Sequence, residues 1–431
     1  MEVINVITLE KLHSTFLVCC YYLPILLKRE CGMKKVVSSC VLFVISALFF
    51  VQIIDAAPKK PWTFLVYMAA ANDLNPYAPL DLQEMMNVGS TDNVNVIVYL
   101  TLQQDGKPKV TRKLYINNGS MTQIGADMVR DSGDVSTLKE ALQWACTDYP
   151  SDNIAVVLWD HGSGPLNRSK MELLSRGVCY DYNTGHYLTD RDCLEAFSWA
   201  RDTFRGGQKF DIIAFDACLL ASLELAYTLS SCADYMVASE ETIPGDGYQY
   251  AYLLSPFATQ SIDAPTFARQ MVNAYKQEYS GTTDYTLSAT DLNAVQSLVD
   301  NCNAIAQILI TQLNGKSRSA VKAIIKKCVL GCSSFDDGIY IDLSQFYKNL
   351  LKNINALKLS STGIDQLRKL LNNGIKLFAT IIKANVMSNN YYQVGGLSIY
   401  FSRYTIDPSY YGLYWAQNNP QWLNLLEAYS L

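Results

Sequence analysis

The sequence predicts an α/β fold in which helices cover both faces of a mostly parallel sheet and a helical C-terminal elaboration follows. Short apolar runs without polar alternation punctuate the first half of the chain, and such runs are typical of strands buried on both faces. These runs cover residues 62–70, 94–100, 154–159 and 210–215. Stretches with apolar residues at helical spacing separate them, and this alternation of strand and helix indicates a doubly wound architecture.

The segments between and after these strands predict the remaining elements. Residues 80–88 and 136–146 have apolar side chains at helical spacing, and Ser136 is the expected N-cap of the second helix. Residues 109–116 alternate weakly, which favours a hairpin strand at the edge of the sheet. In the second half we expect strands at 235–239, 286–290 and 396–401, and helices at 265–279, 292–313 and 316–327.

The first 56 residues have the pattern of a leader and not of the fold. Residues 33–56 begin with Met-Lys-Lys, continue with an apolar run over 36–54 and end in small residues, as a cleavable signal peptide does. An uncleaved membrane anchor is the alternative, because 19 mostly apolar residues can nearly span a bilayer. We then expect residues 1–32 to be either a mis-called extension, with Met33 as the true start, or a cytoplasmic or leader segment. The expected domain is 57–431, with a catalytic half at about 60–255 and the C-terminal elaboration at about 256–431, located outside the cell, at its surface or in the periplasm.

The composition of the chain limits the classes of function that it can have. With 49% hydrophobic and 17% charged residues in a chain of 431, intrinsic disorder is excluded. The net charge of −5 argues against a nucleic-acid binder that rests on a basic face. The chain has three histidines, His13, His161 and His186, so imidazole chemistry has few possible sources.

Two of the predicted strands are followed by residue types that can take part in catalysis. Residues 154–159 lead into DHG, which contains His161 and Gly162, and residues 210–215 lead into DAC, which ends at Cys218. Sites of open α/β sheets lie beyond the carboxyl ends of strands, so these residues meet if the strands are neighbours. Helix-forming residues after Cys218 predict that it sits at a helix N-terminus, which favours the thiolate. The N–H groups of Gly162 and Cys218 would then form an oxyanion hole, which completes a cysteine acyl-transfer site.

Structural roles remain open for both side chains. A lone cysteine in an exported chain is usually buried or disulfide-bonded, and a lone histidine after a strand is often structural. His186 is the other base of the mature chain, but its turn-like surroundings predict exposure to solvent. Ser163 is a weak nucleophile candidate, because the GxSxG elbow is absent.

The motifs around these residues resemble the clostripain family of cysteine peptidases. DHGSG and DACLLASLELAY carry the resemblance, and WTFLVYMAAANDLN, ADYMVASEETIPGDGYQY, TLSATDL, IYIDLSQF and GGLSIYF match the family in order. The resemblance covers most of the mature chain. It implies a caspase-like α/β/α sandwich, shared with legumains and gingipains, with Cys218 as nucleophile and His161 as general acid/base.

Members of this family typically cut proteins or peptides after Arg or Lys. The resemblance implies that Asp216 and Asp246 line the pocket for that basic side chain, where a desolvated carboxylate selects a cation. A strand-end capping role for Asp216 and a simple turn role for Asp246 remain alternatives. The implied hydrolysis passes through an acyl-enzyme and needs no cofactor or metal. The resemblance leaves calcium dependence open by analogy with the family, and no EF-hand pattern supports it.

The resemblance also implies a precursor that cuts itself between the histidine and the cysteine. Arg168, Lys170 and Arg176 lie in that segment, and cleavage after Arg176 or Lys170 is favoured. The expected protein is a monomer without a nucleic-acid partner, bound to a membrane only if 36–54 stays as an anchor. The competing functions are a catalytically silent surface or interaction protein on the same scaffold, and a transpeptidase or amidase.

Overall fold

A mixed sheet with helices on both faces forms the centre of the chain. The computed structural model describes residues 59–104, 106–163, 177–282, 284–402 and 405–430. Its strands are β1 (Lys60–Ala70), β2 (Val94–Leu102), β3 (Val110–Asn117), β4 (Ser120–Met128), β5 (Ser151–Trp159), β6 (Val178–Asp181), β7 (His186–Leu188), β8 (Phe210–Asp216), β9 (Ala233–Ala238), β10 (Thr286–Asp291), β11 (Ser334–Phe335), β12 (Tyr340–Asp342), β13 (Ile382–Met387) and β14 (Ser398–Tyr400). Its α-helices are α1 (Ala78–Met86), α2 (Val135–Asp148), α3 (Asp190–Phe204), α4 (Leu223–Leu229), α5 (Tyr250–Leu254), α6 (Ala264–Tyr279), α7 (Val295–Leu313), α8 (Arg318–Leu330), α9 (Leu343–Lys352), α10 (Ser361–Ile381), α11 (Tyr414–Asn418) and α12 (Pro420–Ser430).

Nine of these strands make the main sheet, in the order β13-β10-β9-β8-β5-β1-β2-β3-β4. The five central strands, from β9 to β2, run parallel to their neighbours. Antiparallel strands extend both edges, with β10 and β13 on one side and the β3–β4 hairpin on the other. The parallel centre therefore matches the predicted doubly wound part, and its strands β5 and β8 are direct neighbours.

The central strands are buried on both faces, which explains their unbroken apolar sequences. In β1, Leu65 and Tyr67 pack into the core formed with α2–α4 and α7–α12. Phe64 and Val66 point the other way, into the core formed with α1, α5 and α6. Because successive side chains of a strand alternate between faces, both sets must be apolar. The result is the predicted three-layer α/β/α arrangement.

Most predicted elements are present within a few residues of their expected bounds, but the predicted N-cap of α2 and the predicted edge strand were wrong. The N-cap of α2 is Asp134, whose side chain accepts from the Ser136 N–H at 2.7 Å, so Ser136 lies inside the first turn. The predicted hairpin strand corresponds to β3, but β4 takes the edge of the sheet.

The leader and the residues before it lie outside the described part of the chain, which begins at Lys59. The interpretation of 33–56 as a signal peptide and of 1–32 as an extension therefore stays a prediction. Among the residues that are described, no helix combines the length and the apolar character needed to cross a membrane.

Candidate active site

The carboxyl ends of β5 and β8 bring the two predicted chemical segments side by side. Trp159 and Asp216 are partners in the parallel register, so His161 and Cys218 each follow two residues after a paired position. The N–H of Asp160 also donates to the carbonyl of Asp216 at 3.2 Å, which continues the pairing beyond the strands. The two strands that lead to His161 and Cys218 are therefore neighbours, as the sequence analysis assumed.

Gly162 packs directly against the backbone of Cys218. A Cβ atom added to Gly162 would lie 2.3 Å from the Cys218 carbonyl oxygen and 2.9 Å from its nitrogen. No side chain fits at such distances, so the close approach of the two backbones requires glycine.

Cys218 does not begin a helix, which corrects the prediction. Helix α4 begins at Leu223, and the side chain of Ser222 caps it by accepting from the Leu225 N–H at 3.2 Å. Residues 217–222 instead form an irregular strap, with Leu219 in the left-handed region at φ 64°. Because the strap separates Cys218 from α4, the helix dipole gives the thiolate no direct support.

Backbone groups surround the Cys218 sulfur instead. Sγ accepts from the Ile243 N–H at 3.2 Å, and the Gly162 N–H also donates to it. Burial raises the pKa of the Cys218 thiol, and the charges of Glu241 and Asp216 raise it further, while the two N–H donors oppose the shift. The net pKa lies above the ordinary value, so the thiol is protonated near neutral pH in this arrangement.

His161 is held by an acid that the sequence analysis missed. Its Nε2 lies 2.7 Å from Oδ1 of Asp73, and its ring stacks on Tyr182 at an interplanar angle of 5°. Burial raises the pKa of Asp73, but the hydrogen bond and charge of His161 outweigh this and leave the pKa below its ordinary value. Asp73 belongs to the ANDL segment after β1, and β1 is the other neighbour of β5. An acid that follows a third predicted strand was the sequence signal that could have identified Asp73 as a site residue.

Asp216 lies at the bottom of an acidic region on the side of the sheet that faces α1 and α5. Its Oδ2 accepts from the Tyr248 N–H at 3.0 Å and from the Tyr250 hydroxyl at 2.9 Å. Burial raises the pKa of Asp216 to about 6, and these two donors limit the shift. Gly247, at φ 61°, leaves the space that Asp216 occupies, since a Cβ there would lie 2.8 Å from Oδ2.

Three further acids lie around Asp216. Asp246 is exposed in the turn that the Gly247 N–H closes by donating to the Pro244 carbonyl. Asp81 and Glu84, both on α1, were not predicted. Asp81 is 1% exposed and accepts from the Trp159 indole at 2.5 Å, and burial together with the charge of Asp216 raises its pKa to about 9. Glu84 accepts from the Tyr250 N–H at 2.8 Å, and burial raises its pKa to about 7.

The other candidate residues lie apart from this site or outside the part of the chain that the structure describes. His186 is exposed in β7, with Nδ1 2.6 Å from Asp131, and Ser163 bonds the Tyr180 hydroxyl at 2.7 Å. Arg168, Lys170 and Arg176 fall within 164–176, which the structure does not describe. Among the described residues no group of three or more His, Cys, Asp or Glu side chains is arranged to hold a metal ion.

A mostly parallel α/β/α sandwich with a cysteine and a histidine at adjacent strand ends has the architecture of a caspase-like cysteine peptidase. The family model described as "Clostripain family", Peptidase_C11, matches residues 66–405. The chain belongs to the clostripain family of cysteine peptidases, which confirms the resemblance and the fold class.

Individual relatives agree with this assignment. The chain is 30% identical to clostripain of Hathewaya histolytica over 123 residues, which are 27% of this chain and 23% of clostripain, so the match spans about a quarter of that relative. A secreted C11 cysteine protease from Bacteroides thetaiotaomicron, solved with an irreversible peptide inhibitor, shares the fold with a TM-score of 0.58 and 21% identity, over 85% of this chain and 99% of that chain. An inactive zymogen C11 protease from Parabacteroides distasonis gives a TM-score of 0.61 and 18% identity, over 84% and 98%.

Proposed function

We propose that the protein is an exported cysteine endopeptidase that cleaves after Arg or Lys, with Cys218 as nucleophile and His161 as general acid and base. The observation that carries this proposal is the contact of Gly162 with Cys218 at adjacent strand ends, which sets a backbone N–H against the sulfur. An N–H group beside the attacking sulfur can also donate to the substrate oxygen, which becomes negatively charged in the tetrahedral intermediate.

The residues divide the reaction between them. The thiol proton passes to His161, and the Cys218 thiolate attacks the carbonyl carbon of the scissile bond. The oxyanion accepts hydrogen bonds from the N–H groups of Gly162 and Cys218. His161 then gives its proton to the leaving amine, and later takes a proton from the water that hydrolyses the acyl-enzyme. Asp73 orients the imidazole through Nε2 and stabilises its protonated form.

The acidic region supports a basic residue before the scissile bond. Neutral groups, the Tyr248 N–H and the Tyr250 hydroxyl, hold the Asp216 carboxyl, so a substrate cation would supply the opposite charge. Asp246, exposed at the rim, provides a second acid for the same side chain. Both assignments follow the family resemblance.

Export and self-activation complete the proposal. The leader at 33–56 directs export, in keeping with the Bacteroides thetaiotaomicron relative, which is described as secreted. Cleavage after Arg176, Lys170 or Arg168 activates the precursor, in keeping with the zymogen described for Parabacteroides distasonis. The active protein is a monomer that needs no metal.

The test is release of a fluorophore from substrates ending in Arg, Lys, Asn or Asp. The wild type should cleave the Arg and Lys substrates, and Cys218→Ala should cleave none and remain one uncut chain. Cys146→Ala is the matched control, since it removes a thiol on α2 and should keep full activity. Cleavage after Asn or Asp would overturn the specificity, and an active Cys218→Ala variant would overturn the nucleophile.

A further inference from the structure

A cavity of about 220 Å³ lies beside the strap that carries Cys218. Phe215 and Leu220, which flank the cysteine in sequence, form part of its wall, and they belong to the core on the α3 and α4 side of the sheet. The tyrosines that hold Asp216 belong to the core on the opposite side. The cavity is therefore separate from the proposed substrate pocket, although both adjoin the same few residues.

One carboxyl group in the cavity wall has an unused oxygen. Glu224 is 2% exposed, and its Oε1 accepts from the Tyr400 N–H at 3.0 Å and from the Tyr410 hydroxyl at 3.1 Å. Its Oε2 has no hydrogen-bond partner among the described residues. A buried carboxyl oxygen without a donor is costly. Of the described residues, Arg191 is the cation in the cavity wall, but its guanidinium donates to the Gly412 carbonyl and the Gln417 side chain, so Glu224 Oε2 still lacks a positively charged donor.

The chain itself can supply that group. Gly177 and Val178 also line the cavity, and Gly177 directly follows Arg176, one of the bonds proposed for self-cleavage. The Gly177 N–H makes a long hydrogen bond to Ser163 Oγ, at 3.4 Å, and also donates to the Tyr180 side chain. Cutting this bond would turn that nitrogen into a primary amine in the wall of the cavity that holds Glu224.

We propose that Glu224 receives the new chain terminus: after hydrolysis of the Arg176–Gly177 bond, the α-ammonium group of Gly177 enters the cavity and pairs with Glu224 Oε2. In the cut, water adds hydroxide to the Arg176 carbonyl carbon and a proton to the Gly177 nitrogen. The released amine then takes a second proton from solvent. This inference rests on the proposed self-cleavage.

The pairing acts on the candidate active site through short connections. Val178 forms an isolated antiparallel bridge with Gly162, and the Ser163 N–H donates to the Gly177 carbonyl at 3.4 Å. Gly162 is the residue that contacts Cys218. Anchoring the terminus at Glu224 therefore fixes the segment that supports the proposed oxyanion hole, so cleavage and activation become one event.

The test releases Gly177 without relying on the protein's own activity. The full chain carries Cys218→Ala, and residues 172–176 are replaced by the enteropeptidase recognition sequence Asp-Asp-Asp-Asp-Lys. After cutting, the reaction of the Gly177 amine with an acylating reagent near neutral pH is followed by mass spectrometry, and Tm is compared before and after the cut. We expect the Gly177 amine to react at least tenfold more slowly in the chain that keeps Glu224 than in the Glu224→Gln chain. We also expect Tm to rise on cutting only in the chain that keeps Glu224.

Controls separate the pairing from a general effect of the substitution. Glu195→Gln, an exposed acid on α3, should behave as the parent chain. A chain with one alanine inserted before Gly177 keeps Glu224 but moves the amine by about 3.8 Å, and should lose the rise in Tm even if Glu224→Gln fails to fold. Equal labelling rates, or a Tm rise that survives both changes, would overturn the inference. The Gly177 terminus of the enteropeptidase-cut chain could be paired while the wild-type protein never cuts after Arg176. That result would refute self-cleavage at this bond and uphold the pairing.

Discussion

Replacing Gly162 by alanine tests the proposed oxyanion hole most directly. The new Cβ would lie 2.3 Å from the Cys218 carbonyl oxygen and 2.9 Å from its nitrogen, whereas ordinary contacts begin near 3.4 Å. One backbone must therefore move by about 1 Å away from the other. Gly162 does not have a positive φ that alanine would avoid, so the effect comes from this contact and not from backbone strain.

The displacement predicts the size of the loss. A misplacement of about 1 Å at a reacting centre costs about 10²-fold in rate, and removal of one oxyanion donor costs about 10²–10³-fold. We expect kcat/KM for an Arg fluorogenic substrate to fall by about 10²–10³-fold, mainly in kcat. The assay compares the processed Gly162→Ala enzyme with the wild type, with thermal unfolding measured in parallel.

A second glycine provides the matched control. Gly315 lies between α7 and α8, and a Cβ there would meet the Gln312 carbonyl at 3.3 Å, so Gly315→Ala should keep kcat/KM within about twofold. A Gly162→Ala enzyme with the activity of the Gly315→Ala control would refute the role assigned to this contact.

Three further predictions concern the acids. Asp73→Asn should lower kcat about tenfold to a hundredfold with little change in KM, because it loosens His161, and Asp73→Glu should restore part of the loss in the same steady-state assay. Asp216→Asn should lower kcat/KM for Arg substrates by about 30-fold or more, whereas Asp81→Asn should change it less than threefold at pH 7, because a carboxyl with a pKa of about 9 is already neutral; equal losses would contradict this assignment. Glu224 has a folded-state pKa of about 7 against an ordinary 4.5, so it binds a proton that the unfolded chain has released, and its contribution to the free energy of unfolding of the uncut Cys218→Ala chain should fall by about 3 kcal/mol as pH rises from 4.5 to 7. Asp216 and Glu84 also have raised pKa values and add to the slope, so urea titrations should show that Glu224→Gln makes the fall smaller by about 3 kcal/mol, and an unchanged slope would reject the assignment.

The sheet was predictable because burial on both faces leaves a direct mark on the sequence. Strands β1, β2, β5 and β8 are apolar at consecutive positions, and the rule that sites follow carboxyl ends then located His161 and Cys218. The helix start after Cys218 was not predictable from propensity. The strap pairs with other segments instead, through the Leu219 N–H to the Glu241 carbonyl and the Ala221 N–H to the Ser239 carbonyl. Tertiary hydrogen bonds therefore displaced the beginning of α4 to Leu223.

The missed acids have a common cause. Asp73 and His161 are 88 positions apart, and they meet because β1 lies beside β5 in the strand order, which the sequence does not state. Asp81 is buried on a helix whose other buried residues are apolar, where a polar residue predicts the solvent side. Both acids become visible only when the order of the strands and the facing of α1 are known.

Because Cys218 lies outside helix α4, its thiol must be activated without a helix dipole. In the proposed mechanism the Cys218 thiolate must form although burial, Glu241 and Asp216 all raise its pKa, and only two backbone N–H groups oppose them. A substrate cation that pairs with Asp216 would neutralise one of these charges and lower the pKa of Cys218 at the moment of binding. The acid that selects Arg or Lys would then also control the nucleophile, and substrates without the cation would react slowly even when they occupy the site. Selectivity should therefore appear in kcat as well as in KM.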